Sequence, residues 1–504
     1  MFGYSIDLNK IILILILISI VIYFYLKYKL SYWSRRGVKS PPTHLFFGNF
    51  KDTITFKKPP GVLLQDIYDY ADQNDKYIGF YILSKPALML RDINLIKQIM
   101  VTDFYTFPDR MFGGKYEKDT VGLCNLLGIN HPKWKYLRTK MTPSFTGGKI
   151  RNMVPLMLEC CNSMLKFIDD KPANADGWKE LELKSLSSRY STDVISSVAF
   201  GINTNSFHEN DVAFWEAGQK ILSGTKRGII VLIYFLLPEI TPLIEPLAKR
   251  PAEFFRHVFW DSMNAREITG NKRGDLIDSL LALKNGEQKP EFAFEGDNLL
   301  AQAVSFYVAG FEASSTAIAF VIYELALHPE YEKRLYDEIK DIADKGELTM
   351  DSINEMSFLD AVLEESLRLY PPLPIVDRVA VNDYKLPGTD LIIEKGTSIY
   401  VAINGVNRDS RYFSDPTTFN PLRKKDDKNK LSGSLAFGIG PRSCIGQRLG
   451  ILITKIAIIQ LVLHYKMFIK LEKGNLLSPV TIFTNAADGV YVQFQKRTNN
   501  TNLT

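Results

Sequence analysis

Ten consecutive residues concentrate chemistry late in the chain: Phe437-Gly438-Ile439-Gly440-Pro441-Arg442-Ser443-Cys444-Ile445-Gly446. The glycines let the backbone turn back tightly and come close to a flat macrocycle. Arg442 can offer a planar fork to a carboxylate, and Phe437 can pack beside the sulfur. Residues 447–467 follow with Leu449, Ile453, Ile456, Ile459 and Leu463 on one helical face. Cys444 therefore lies near a helix N-terminus, where free N–H groups and the macrodipole favour a thiolate over a thiol. Most free cysteines are buried structural residues. Inside this loop, Cys444 reads instead as a thiolate ligand for a metal.

Three further constellations accompany it. Ala309-Gly310-Phe311-Glu312-Ala313-Ser314-Ser315-Thr316 combines small residues with a carboxylate and hydroxyls. Small residues there would let a planar group lie against a helix, although they also serve close helix packing. Glu312 and Ser314 could relay protons. Glu365 and Arg368 stand at i and i+3 on one helix face. As a surface pair they would contribute under about 1 kcal/mol. Trp134 and Arg138, at i and i+4, project an indole N–H and a guanidinium from one side.

Helices must hold most of these groups. A long helix is expected from Gly296 to Leu327, stopping at His328-Pro329, where the proline can start the next. A hairpin is expected within 77–92 around Ser84-Lys85-Pro86, and short strands within 396–404 and 489–495. The fold class is mainly α with a minor β region.

The chain has 504 residues, 46% of them hydrophobic and 23% charged. That supports a large core, and no linker, low-complexity tract or repeat divides 40–495, so a single large unit is expected. The net charge of +5 comes with no basic block carrying interleaved aromatics, so nucleic-acid binding is unsupported. Four cysteines, Cys124, Cys160, Cys161 and Cys444, suggest no disulfide framework and a reducing compartment. Two N-x-T sequons, at Asn499 and Asn502, fall in a polar terminus and would stay unmodified on a cytosolic domain.

Residues 11–26 carry no charge and only Ser19 as a polar interruption. Lys10 and Lys27 can snorkel, extending the run toward the roughly 20 residues that a bilayer needs. No small-x-small cleavage site follows. Lys27, Lys29, Arg35 and Arg36 after the run place the rest of the chain in the cytoplasm. A second apolar stretch, 228–237, is too short to span and reads as a buried core helix. The expected domains are a signal anchor over 1–30, a basic and proline-rich hinge over 31–50, a globular domain over 51–497, and a tail over 498–504.

The cysteine loop resembles, at every fixed position, the F-G-x-G-x-R-x-C-x-G signature of the cytochrome P450 monooxygenases. Glu365-Ser366-Leu367-Arg368 is similar to that family's E-x-x-R, the segment from Pro416 to Arg423 to its P-x-x-F-x-P-x-R, and the segment from Trp134 to Arg138 to its W-x-x-x-R. The stretch from Ala309 to Ser314 resembles A-G-x-[D/E]-T-[S/T], with one departure: Ala313 stands where the family usually has threonine. Lys424 replaces the phenylalanine usual after the meander arginine, and 424–430 reads as an exposed loop. Local segments such as Tyr32-Trp33-Ser34-Arg35-Arg36-Gly37-Val38 look like insect microsomal members.

The resemblance implies haem b, with Cys444 as axial ligand pushing electron density onto the iron. It implies propionate contacts from Trp134, Arg138, Arg378, Arg442 and Arg110, and a buried triad of Glu365, Arg368 and Arg423. It also implies NADPH electrons through a membrane-bound reductase that docks near Lys133, Lys135 and Lys140, with a small b-type cytochrome as a further partner. Substrate walls are expected within 104–123, the 228 region, 306–313, 373–376 and 482–483, and the resemblance implies that 228–237 dips into the bilayer beside the substrate entrance. The location implied is the endoplasmic reticulum membrane, with the catalytic domain on the cytosolic side and a small hydrophobic substrate.

Ala313 leaves three explanations for proton delivery. Ser314 or a nearby hydroxyl acts through water, the substrate's own hydroxyl acts, or the chemistry needs no dioxygen activation. The leading function is an NADPH- and reductase-dependent monooxygenase. A haem-thiolate isomerase or dehydratase and a non-catalytic sequestering haem protein are the alternatives.

Overall fold

The structure, a computed structural model, describes residues 8–113, 118–222, 224–249, 251–423, 435–469 and 477–497. The expected loop over 424–430 and the tail over 498–504, with both sequons, lie outside the described residues, as do 1–7 of the anchor and 114–117 of one substrate wall.

Helices dominate, and the axis of the body is the helix Gly296–Leu327. Its two ends are those the sequence indicates, and a new helix starts at Pro329. It is buried through most of its length because apolar residues surround it on every side. Beside it runs the helix Leu183–Phe200, whose Ser187, Ser188, Ser191, Thr192, Ser196 and Ser197 are all buried. These short side chains permit a close crossing. A Cβ on Gly310 would come within 2.6 Å of Ile195 Cδ1, so Gly310 answers to helix packing.

The helix after the cysteine loop spans Gln447–His464, with Ile453, Ile456 and Ile459 fully buried. It ends before Met467, short of the expected limit. The apolar pattern continues, but Tyr465–Phe468 pairs as a strand with Tyr491–Lys496, which also pairs with Trp178–Glu182. A run of apolar residues alone does not separate these two states.

A four-stranded sheet lies at the other side of the body, in the order Tyr77–Ile82, Lys85–Leu90, Ser398–Ala402, Ile375–Val379. The expected hairpin is present, with Ile82 opposite Lys85, so Lys85 and Pro86 belong to the strand rather than to the turn. The Ile375–Val379 strand, antiparallel to Ser398–Ala402, was not foreseen; it carries Asp377 and Arg378.

Among the described residues three helices are long and apolar enough to cross a membrane. Two of them, Gly296–Leu327 and Gln447–His464, are mostly buried in the body, whereas the N-terminal one, Leu8–Leu30, has no buried residue. Residues 228–237 fall mostly in the helix Thr225–Leu236, whose Ile230, Val231, Leu232, Tyr234 and Leu236 are buried. The following turn, Pro238–Leu243, exposes Ile240 and Leu243.

Candidate functional site

A cavity of about 420 Å³ separates the central helix from the cysteine loop. Val304, Ala309, Gly310, Ala313 and Ala317 form one wall, and Phe437, Gly438, Cys444, Leu449 and Ile453 the other. The loop is held in shape by its main chain. Cys444 N–H donates to Phe437 O at 2.8 Å. Gly438 and Gly440 adopt φ of 69° and 76°. At Gly440 a Cβ would come within 2.1 Å of Met100 O, so only glycine lets the turn pass that backbone.

Cys444 is exposed, but into this cavity rather than to bulk water. Burial pushes its thiol pKa up, while the Gly446 N–H, Arg138 and Arg110 pull it down. The thiol is therefore disfavoured as a free anion: burial overrides the helix start that the sequence reads as favouring a thiolate. Metal coordination would deprotonate it outright.

Along one edge of the cavity lies a cluster of guanidinium groups. Arg442 is buried and donates to Pro108 O, Leu126 O and Ile129 O at 2.8, 3.2 and 2.9 Å. Trp134, buried on the helix Lys133–Met141, lies beneath it, and Arg138 from the same helix donates to Ser443 O at 3.0 Å. Arg110 reaches Arg442 O at 3.4 Å and Asp377 Oδ1 at 3.5 Å. Arg378 lies behind this wall, 1% exposed, with Nη1 on Asp377 O at 2.7 Å and no partner for Nε among the described residues.

The nearby carboxylates are Asp377 and Asp109, the latter 3.6 Å from Arg442. Four guanidiniums against two carboxylates leave an excess of positive charge in a buried place. Burial, then Arg110, holds the Arg442 pKa down to about 9, and burial, then Arg110 and Arg442, lowers that of Arg378. Guanidiniums stay charged in proteins, so a cluster of them with too few carboxylates in a buried place suits an anion. A planar macrocycle with an apolar body and two carboxylates at one edge fits the walls, the Arg110 and Arg138 guanidiniums at the rim, and the sulfur together.

The groups expected to handle protons are arranged differently. Ala313 and Ser314 line the cavity, but Glu312 does not. The Glu312 carboxylate is buried and accepts from Lys184 Nζ at 3.0 Å, and Lys184 also donates to Ser315 Oγ and Thr316 Oγ1 at 2.8 Å each. Ser314 Oγ lies 4.0 Å from where a Cβ on Gly450 would stand, on the side of the cysteine helix. The turn of about 100° per residue separates these neighbours onto different faces. Lys184 was not foreseen, because nothing in sequence links it to a residue so far along the chain.

Glu365, Arg368 and Arg423 come together below the site. Arg368 grips Glu365 with two hydrogen bonds, 2.8 Å from Nε to Oε2 and 2.7 Å from Nη2 to Oε1. Its other donors reach Asn407 O, Pro416 O and Thr418 O, and Arg423 Nη2 approaches Glu365 Oε1 at 3.3 Å. The pair ties the helix Ser357–Leu369 to the segment carrying Pro416 and Thr418.

The profile of the cytochrome P450 family matches residues 38–492. Cytochrome P450 6k1 of Blattella germanica is 37% identical over 471 residues, 88% of each chain. Probable cytochrome P450 6g2 of Drosophila melanogaster is 33% identical over 93% of this chain and 95% of its own length. Cytochrome P450 6B2 of Helicoverpa armigera is 33% identical over 88% of this chain and 90% of its own.

Proposed function

This chain belongs to the cytochrome P450 family, a haem-thiolate monooxygenase using haem b, and on that premise we propose that Cys444 is the thiolate ligand of the iron. The observation that carries this reading is a cysteine sulfur opening into an apolar cavity whose rim is crowded with guanidiniums. Arg138 and Arg110 lie at that rim and are assigned to the propionates, with Trp134 and Arg378 supporting them. Arg442 spends its donors mainly on main-chain carbonyls and organises the loop. Glu365, Arg368 and Arg423 brace the same side of the fold as a structural triad.

Haem bound here supplies the redox chemistry by which one oxygen atom of O₂ enters substrate and the other leaves as water. Two electrons come from NADPH through the reductase, and two protons come from solvent. The residues of this chain hold and shape that site. Phe112, Val231, Phe235, Leu247, Val376 and Phe483 line the cavity with apolar surface, which suits a small neutral lipophilic substrate. Ala313 offers no hydroxyl and Glu312 is held by Lys184, so the proton route is assigned to the Ser314 hydroxyl, acting through water, on the cavity wall. Lys133, Lys135 and Lys140 are exposed on the helix behind the cysteine loop and form the assigned landing for the reductase. A small b-type cytochrome would use the same basic face.

Leu8–Leu30 is assigned as a single-pass anchor in the endoplasmic reticulum membrane, with the body on the cytosolic side. Ile240 and Leu243 are assigned as a second contact with the bilayer. The test is product formation from lipids, terpenoids, flavonoids and insecticides, with the full chain, reductase and NADPH in membranes. A second reading rests on Ala313: turnover of a peroxide or hydroxylated substrate without reductase would support an isomerase or dehydratase. Spectral shifts with ligand and no turnover in either arm would support a sequestering protein.

A further inference from the structure

The segment after the anchor is packed into the body. Trp33 is fully buried. Its indole Nε1 donates to Phe80 O at 3.0 Å and its main-chain N–H to Tyr81 OH at 2.9 Å, both on the first strand of the hairpin 77–90. The fit leaves no slack: a Cβ on Gly79 would stand 2.4 Å from Trp33 Cγ. Gly79 N–H in turn donates to Lys39 O at 2.9 Å. Arg36 stacks over the Tyr32 ring at 3.6 Å and pairs with Glu394.

Little flexible chain separates this dock from the anchor. The helix ends at Leu30, but Ser31 and Tyr32 continue in hydrogen-bonded turns back to Tyr28 and Lys29. Trp33 itself has φ −72° and ψ −42°, still helical, and the reversal comes only at Gly37, with φ 67°. The hairpin then extends to Lys85, which pairs with Glu239 on the turn Pro238–Leu243. That turn bears Ile240, 39% exposed, and Leu243, 85% exposed.

We propose that Trp33 joins the anchor rigidly to the catalytic domain through the hairpin. The domain then holds one pose on the bilayer, with the Ile240 and Leu243 turn against the same leaflet. A buried tryptophan alone would be ordinary core packing. What distinguishes Trp33 is its helical continuity with an unburied apolar helix and its direct seat on the strut that reaches the second apolar surface. The inference rests on the anchor assignment made above.

The full chain in phosphatidylcholine and phosphatidylserine nanodiscs tests it by hydrogen exchange. The amides of residues 33–38 are expected to exchange at least about tenfold more slowly than an unstructured chain, as docked backbone does. Trp33→Ala should remove that protection and reduce the polarised absorbance of the haem on oriented bilayers, while Trp33→Phe restores part of both. Exchange at unstructured rates in the native chain, or unchanged polarised absorbance in a folded Trp33→Ala, would overturn it. Should Trp33→Ala fail to fold, Tyr81→Phe and the native exchange rates decide. A chain that washes out of the discs at alkaline pH fails the anchor assignment itself, which is a different result from a retained chain with a freely exchanging linker.

Discussion

The Arg442 guanidinium lies 4.4 Å over the centroid of the Trp134 ring and holds three main-chain carbonyls at the same time. One planar cation thus connects the cysteine loop, the segment at Pro108, the carbonyls of Leu126 and Ile129, and the Trp134 helix. Lysine cannot reproduce that fork or its stacking. Arg442→Lys should destabilise the holoenzyme by about 2–4 kcal/mol, because it strands buried carbonyls. Chemical unfolding followed at the haem band checks this, alongside faster loss of haem to an acceptor globin.

Glu365 carries two arginines, one of them almost wholly buried. Glu365→Gln should cost about 3–5 kcal/mol, since it leaves the Arg368 cation uncompensated. Arg423→Ala should cost less, because its contacts to Glu365 are longer and Arg368 keeps the carboxylate paired. Unfolding curves of the two variants give the order directly; equal losses would contradict the assigned geometry.

Ala313 lines the cavity without a hydroxyl. Ala313→Thr should raise the fraction of NADPH converted to hydroxylated product and lower peroxide release. Product and peroxide assays on the same reaction check this. Unchanged or worse coupling would count against a proton-relay defect at this position.

Asp193 is buried beneath Ser206 and Thr204 and accepts from Ser206 N–H, Ser206 Oγ and Thr204 Oγ1. Burial outweighs those bonds and raises its pKa to about 6. The folded protein therefore binds a proton that the unfolded chain has released between about pH 4 and pH 6. Stability from this group is greatest below that window and falls as pH rises through it, by about 3 kcal/mol in all. Asp193→Asn should flatten that part of the pH profile, read as the difference in unfolding midpoint between variant and native chain at pH 4.5 and pH 6.5, two settings on either side of about pH 6.

The residue types around Cys444 made the chemistry legible because each carries its reason locally: glycine for the tight turn, arginine for the fork, a helix start behind the sulfur. Gly296–Leu327 was legible for a similar reason, since a proline marks its end. The Ile375–Val379 strand was not, because its pairing of Asp377 with Tyr400 is a long-range contact that no local periodicity announces. Met467 fits the expected helix only because apolar spacing persists after the chain has changed to a strand. Glu312 illustrates the remaining limit. Its neighbourhood named a proton relay, but its partner Lys184 lies on another helix, and that partner decides which way the carboxylate points.

The central claim is the bond between the Cys444 sulfur and haem iron. Reduced, well-folded full-length chain treated with carbon monoxide should give the red-displaced Soret maximum of thiolate ligation, and Cys444→Ala should lose it while the Trp134 and Arg442 variants keep its position. A native chain that binds haem and carbon monoxide without that displacement, or a Cys444→Ala chain that retains it, would contradict the account.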